Sequence, residues 1–276
     1  MRAFPNIENC LFIAVLVLFI GLLALERRRP YAKTPNARLR ESFSTNTSAF
    51  LFNNVVMSLL SVSSLLVVAQ NYASIGLLAR MADGPLKWLA SFVLFDLAVY
   101  FWHYLGHHNE FLWRFHKVHH SDKSFNVSTG LRFHVADQLM EVGFKCLCTI
   151  VFGVQAKVVV TCEIVRMFFV LFHHANVEFP WDKALDKALS QVFITPSLHR
   201  AHHSTRRSEH DSNYGIVLSV WDRIFGTRKE LAPKRIGLEM IEAENLVQLF
   251  SLAFVTERRL ARVLHLVPRR REGGER

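Results

Sequence analysis

An uninterrupted apolar run over residues 10–25 opens the chain and stops at Glu26 and Arg27-Arg28-Arg29. The positive charge follows the run instead of preceding it, and no small-residue cleavage site follows. The pattern therefore predicts an uncleaved anchor helix. Extension toward Pro5 brings the run to the ~20 residues that a span requires. Lys33, Arg38 and Arg40 make the next segment strongly basic, which assigns it to the cytoplasmic side. Charge then disappears from residue 42 to residue 79, and residues 47–69 are the expected second span. Asp83-Gly84-Pro85 predicts a turn, and residues 87–104 a third helix that returns to the cytoplasm. Residues 139–172 are apolar again but broken near 153–157, which predicts a tight helical hairpin. The expected fold is all-α, an integral membrane helical bundle of about four transmembrane segments, the last two a short hairpin. Residues 1–41 would form the anchor and its basic segment, and 42–239 the main membrane-embedded unit. Residues 240–276 would form an amphipathic helix, over 240–266, and a basic tail expected to be disordered.

Against this frame the polar residues concentrate in histidine. The chain has 14, and eleven of them gather as His103/His107/His108, His116/His119/His120, His173/His174 and His199/His202/His203. Two of these knots repeat His-x-x-His-His. Positions i, i+3 and i+4 share one helical face, so each triplet aims three imidazoles at one region. The topology drawn from charge alone delivers all four knots to the cytoplasmic side.

Nine imidazoles (His103, His107, His116, His119, His120, His174, His199, His202 and His203) stand out as candidate metal ligands. That is too many for one ion, since structural zinc takes four ligands and catalytic zinc three. Two ions with four or five imidazoles each fit the count. A zinc hydrolase would need a base beside its ligands, as in His-Glu-x-x-His, and that motif is absent. The Glu-x-x-His pairs of ferritin-like di-iron bundles are absent too. A metal-transport reading suffers from the histidines collecting on one face without forming a path through the membrane. Asp96 lies two helical turns before His103 and is expected to act as a buried structural or imidazole-supporting carboxylate. Asp211, Asn213 and Tyr214 follow the last triplet and would either orient its rings or hold a turn by Asx hydrogen bonds. Trp221, Asp222 and Phe225 are read as fold residues, and His210 and His265 as surface residues.

Composition narrows the rest. Half of the 276 residues are hydrophobic, 23 of them Phe, and the net charge is +10. The basic clusters sit beside apolar blocks, which suits anionic lipid heads, not a nucleic-acid groove. Cys10, Cys146, Cys148 and Cys162 all lie within apolar stretches and read as reduced, buried side chains.

From residue 92 to residue 227 the chain resembles the fatty acid hydroxylase/sterol desaturase superfamily, which includes alkylglycerol monooxygenase. The resemblance rests on D-x-x-x-Y-x-x-H-x-x-x-H (Asp96, Tyr100, His103, His107), on W-x-x-H-x-x-H-H-S from Trp113, and on Asn126, Ser128, Thr129, Arg132 and His134. H-A-N-V from His174, T-P-x-x-H-x-x-H-H-S from Thr195 and the D-S-N-Y-G…W-D-R-x-F-G-T stretch complete it. It implies a non-haem di-iron centre, O2 activation, and a transmembrane bundle under a cytosolic helical cap that carries the histidines. It also implies electrons from NAD(P)H through a separate carrier or reductase. No Gly-x-Gly-x-x-Gly follows a strand pattern, which agrees. The expected activity is hydroxylation of a lipid C–H bond at the inner membrane of a bacterium, on its cytoplasmic side; desaturation by the same centre is the alternative. The family pattern admits His108 beside His107 and His173 beside His174. His134 opens His134-Val135-Ala136-Asp137 where many relatives read His-Pro-x-Glu, and remains a further candidate ligand.

Overall fold

The computed structural model describes the backbone of residues 5–60, 64–238 and 243–255, and the side chains within them except those of 5–12 and 64. Among these residues the protein is helical, with no strand and three isolated bridges. The long helices are α1 (Pro5–Arg28), α2 (Asn36–Leu59), α4 (Pro85–His108), α6 (Val135–Phe152) and α7 (Ala156–His174). Between them lie α3 (Ser64–Tyr72) and α5 (Glu110–His120). Five short helices follow: α8 (Lys183–Leu189), α9 (Pro196–His202), α10 (Arg207–His210), α11 (Val220–Ile224) and α12 (Leu246–Ser251).

The expected hairpin is present. Gly153 ends α6 in the left-handed region at φ 70°, which glycine enters without a Cβ penalty. Its backbone is crossed there by the loop after α3. Leu77 N–H and Leu78 N–H donate to the carbonyls of Val151 and Phe152 at 2.8 and 2.9 Å. A Cβ on Gly76 would stand 1.9 Å from the Gly153 nitrogen, so only glycine fits the crossing. Around it Ala69, Phe95, Val99, Val154, Val158, Val159 and Cys162 form an apolar core.

Two expected elements differ. Residues 47–69 are not one helix. α2 begins at Asn36, inside the expected basic loop, and ends at Leu59, and α3 starts at Ser64. The buried face of α2 is Ser42, Thr45, Asn46, Ala49 and Asn53, so polar groups and not apolar ones set its inward side. The helix expected over 240–266 is not continuous among the described residues. Asn245 caps α12 by accepting from Gln248 N–H, and the chain turns into a 3-10 segment at Leu252–Phe254. Residues 256–276, including His265 and the basic tail, lie outside the described residues, as do 239–242. Among the described residues one helix, α4, is long and apolar enough to cross a membrane by length and composition alone. Large apolar side chains are nonetheless exposed on several helices: Leu16, Val17 and Ile20 on α1, Leu51 and Val55 on α2, Leu89 and Phe101 on α4, and Leu147 and Val151 on α6.

Candidate metal centre

α4 and α5 meet at a corner made by one residue. Asn109 closes α4 through its N–H to the Leu105 carbonyl at 2.8 Å and caps α5 with its side-chain oxygen, which accepts from Phe111 and Leu112 N–H. This sharp turn sets His103 and His107 of α4 against His116 and His120 of α5. Pro196, early in α9, starts the short helix that carries His199 and His202. His174 ends α7.

The nine imidazoles converge in two groups. The nitrogens of His103, His107, His116, His120 and His202 lie within 4.8 Å of one another, as do those of His119, His174, His199 and His203. All nine side chains are buried. In the second group His174 Nε2 is 3.1 Å from His119 Nε2, 3.2 Å from His203 Nε2 and 3.0 Å from His199 Nε2, and His203 and His199 are 3.1 Å apart. Nitrogen ligands about 2.1 Å from one ion stand about 3.0 to 3.4 Å from each other, so this spacing suits a shared cation.

The other ring nitrogens explain why the Nε2 atoms face inward. His103 Nδ1 donates to the Tyr214 carbonyl at 2.7 Å, His119 to Arg132 at 3.2 Å, His174 to Val170 at 2.7 Å and His202 to Ser212 at 2.6 Å. His116 Nδ1 meets Asp137 Oδ2 at 3.1 Å, and His107 Nδ1 reaches Asp211 Oδ1 at a long 3.4 Å. Holding the proton on Nδ1 leaves the Nε2 lone pair for a metal. The Nε2 atoms of His107, His116, His120 and His202 are buried without a hydrogen-bond partner. Buried orphan acceptors are costly unless something fills the space between them. Burial, then the neighbouring imidazoles, hold His119, His120, His199, His202 and His203 well below the ordinary value of 6.5, so they are neutral at pH 7. A set of buried, all-nitrogen donors whose nitrogens converge fits a pair of first-row metal ions. Five imidazoles in one group exceed zinc's usual four ligands and match iron as well.

The remaining candidates fall outside both groups. His108 is exposed, stacked on Tyr104, with Nδ1 bonded to its own helix. His173 is buried beside His199, ring centroids 3.8 Å apart. His134 caps α6, its Nδ1 accepting from Ala136 N–H, and packs among Phe115, Phe250 and Phe254. Asp96 accepts from Trp221 Nε1 at 2.8 Å, so its partner is an indole on α11, not His103. Asn213, at φ 53°, spends its amide on the Leu198 and Lys229 carbonyls and its oxygen on Lys229 N–H. It ties loops together behind the histidines. His210, expected at the surface, is instead buried. Its ring stacks on Trp113 and its Nδ1 donates to the Ser204 carbonyl at 3.0 Å; it forms a small cluster with His107 and Asp211.

Three supports were not read from sequence. Asp137 steadies His116, and its position beneath His134 in the motif was the available signal. Arg132 is buried and donates to Asn46, Ser121 and the Val118 carbonyl. Asp122 accepts from Ser42, Asn46 and Thr129 at 2.8, 2.9 and 2.7 Å. Burial alone would raise the Asp122 carboxyl, but Arg132 and these donors outweigh it and hold it below its usual range. The network clamps α2 and the 3-10 turn at Val127–Leu131 to the end of α5, where His119 and His120 sit. A small cleft beside the histidines is lined by Val99, Trp102, Phe133 and Val170, and also by Glu141 and Arg166. Those two charges belong to a paired quartet in which Lys145 reaches Glu141 and Glu163 at 3.0 and 2.8 Å and Arg166 reaches Glu163 at 3.0 Å.

Comparison with known proteins agrees with the geometry. The family model described as fatty acid hydroxylase matches residues 88–227, half of the chain, and spans every histidine of both groups. Ornithine lipid hydroxylase of Rhizobium tropici is 30% identical over 225 residues, covering 78% of this chain and 66% of its own length. Alkylglycerol monooxygenase of Danio rerio is 28% identical over 214 residues, 76% of this chain and 46% of that protein. Cholesterol 25-hydroxylase of Homo sapiens is 26% identical over 147 residues, 49% of this chain and 48% of that protein. The chain thus spans less than two thirds of the length of these relatives. No solved structure matches it. The motif order, the two imidazole groups and the family match together make the chain a member of the fatty acid hydroxylase family.

Proposed function

We propose that the protein is a membrane-embedded non-haem di-iron oxygenase that hydroxylates a C–H bond of a lipid. The observation that carries the reading is the pair of buried imidazole groups whose ring nitrogens converge. His103, His107, His116, His120 and His202 would hold one iron, and His119, His174, His199 and His203 the other. Bound iron would supply the oxygen activation that no side chain of the chain can provide.

The residues themselves would orient the metals and exclude water. Nδ1 partners fix the rings of His103, His107, His116, His119, His174 and His202. The Asp122–Arg132 network keeps the end of α5 rigid. The apolar lining of Val99, Trp102, Phe133 and Val170 offers a dry slot for an alkyl segment beside the histidines. Four charges of α6 and α7, Glu141, Lys145, Glu163 and Arg166, are mutually paired, which lowers the cost of placing this hairpin in a bilayer. The exposed apolar bands on α1, α2, α4 and α6 favour lipid contact, and the basic segment after α1 favours a cytoplasmic site at a bacterial inner membrane. Electrons would come from NAD(P)H through a separate carrier protein. The relatives' names, hydroxylase and monooxygenase, favour hydroxylation over desaturation.

The test is single turnover. Protein loaded with iron, reduced and exposed to O2 with extracted bacterial lipids should yield a lipid heavier by one oxygen atom. His119→Ala and His202→Ala should lose iron and product together. A product lighter by two hydrogens would replace hydroxylation by desaturation, and full activity in either variant would overturn the assignment of the site.

A further inference from the structure

A further cavity lies away from the histidines. It holds about 630 Å³ between the end of α1, the segment that follows it and the start of α2. It shares no lining residue with the cleft beside the metal groups. Arg27, Lys33 and Arg40 line it, and all three are exposed. No ion pair to any of them occurs among the described residues, although acidic partners neutralise Lys87, Lys145, Arg166, Arg206, Arg207 and Arg228 elsewhere. The one carboxylate in the wall, Glu26, is committed inward: its Oε1 accepts from Val127 and Asn176 N–H at 2.6 and 2.7 Å. α2 starts in the wall with no side-chain cap from Pro35, so its first-turn N–H groups and dipole add to the positive field.

Part of the lining is apolar. Leu23 and Phe43 belong to it, Phe43 is 38% exposed, and its ring stacks on Phe19 of α1 at 6.3 Å. Beyond Phe19 the same helix exposes Val17 and Leu16. A concave basic pocket that continues into an exposed apolar helix matches one ligand chemistry: a negatively charged head joined to an alkyl chain.

We propose that this cavity is an accessory site for an anionic phospholipid, its phosphate held by Arg27, Lys33 and Arg40 and its acyl chain laid along Phe43 and α1. The lipid is separate from the molecule oxidised at the histidines and needs no metal for its binding.

The full chain, purified in a neutral detergent, is titrated by native mass spectrometry with dioleoyl phosphatidic acid and dioleoyl phosphatidylcholine. Wild type should retain phosphatidic acid about tenfold more strongly than phosphatidylcholine. Arg27→Gln/Arg40→Gln should lose most of that preference. Arg28→Gln/Arg29→Gln removes the same charge just outside the cavity and should lose less than about a third of it. Lys33→Gln, on an exposed turn, supplies a milder variant with an intermediate loss. Metal content, unchanged in all of them, reports an intact fold. Equal losses in the two double variants would reduce the effect to general surface charge and overturn the site. Equal retention of the two lipids would do the same, and so would displacement of the lipid by inorganic phosphate at about 10 mM, which would leave a bare anion site.

Discussion

The histidines themselves were legible because imidazoles at i, i+3 and i+4 are rare and share a helical face. Their supports were not, because a hydrogen bond across the fold leaves no trace in local spacing. Asp96 lies on the His103 face of α4, where its carboxylate serves Trp221, and the carbonyl of Tyr214 supports the His103 ring. Asp137, which sequence spacing did not single out, reaches His116. The two aspartates should therefore respond differently to substitution. Asp137→Asn should weaken metal binding at the five-histidine group about 10- to 100-fold, as the loss of such outer partners does, with the fold intact. Asp96→Asn should keep metal affinity and cost about 1–2 kcal/mol of stability. Metal titration alongside thermal unfolding checks both, and a larger metal defect in Asp96→Asn would reverse the assignment.

Hydropathy read helices well where an apolar face packs inward and poorly where a polar one does. α4 and the hairpin of α6 and α7 appear close to their expected limits, since glycine and proline punctuate them. α2 escaped because its inward face carries Ser42, Thr45, Asn46 and Asn53, whose hydrogen bonds to Asp122, the Glu244 carbonyl and the Phe133 carbonyl depend on distant elements. The charged quartet of α6 and α7 was likewise hidden within a stretch whose average is apolar. One contact between elements is sharp enough to test. Gly76→Ala would push a methyl to 1.9 Å from the Gly153 backbone, which must move. The loss should reach or exceed about 1–3 kcal/mol, the usual range for overpacking, and appear as a lowered unfolding midpoint. An unchanged midpoint would mean that the loop after α3 does not cross the hairpin.

For the whole molecule, the order of charges along the chain predicts all histidine knots on one side, and the fold brings nine of their histidines into two groups. Packing that many neutral bases together has a pH consequence. Unfolded, each imidazole takes a proton near its ordinary value of 6.5; folded, burial keeps His119, His120, His199, His202 and His203 neutral well below it. Between those limits the unfolded chain binds more protons, so stability is fully present above pH 6.5 and falls as pH drops. Urea unfolding of the metal-free protein should show a steady loss from pH 7 to pH 5, and metal should oppose it because protons and cations compete for the same lone pairs. A flat profile would mean that the rings are not buried as neutral bases. The most direct measurement is the iron content per chain of the anaerobically loaded protein, by elemental analysis, in wild type, His107→Ala and His174→Ala. Two irons in wild type, with about one lost in each variant, is the predicted result; a single ion per chain, or a content that neither substitution changes, would contradict a centre built from two imidazole groups.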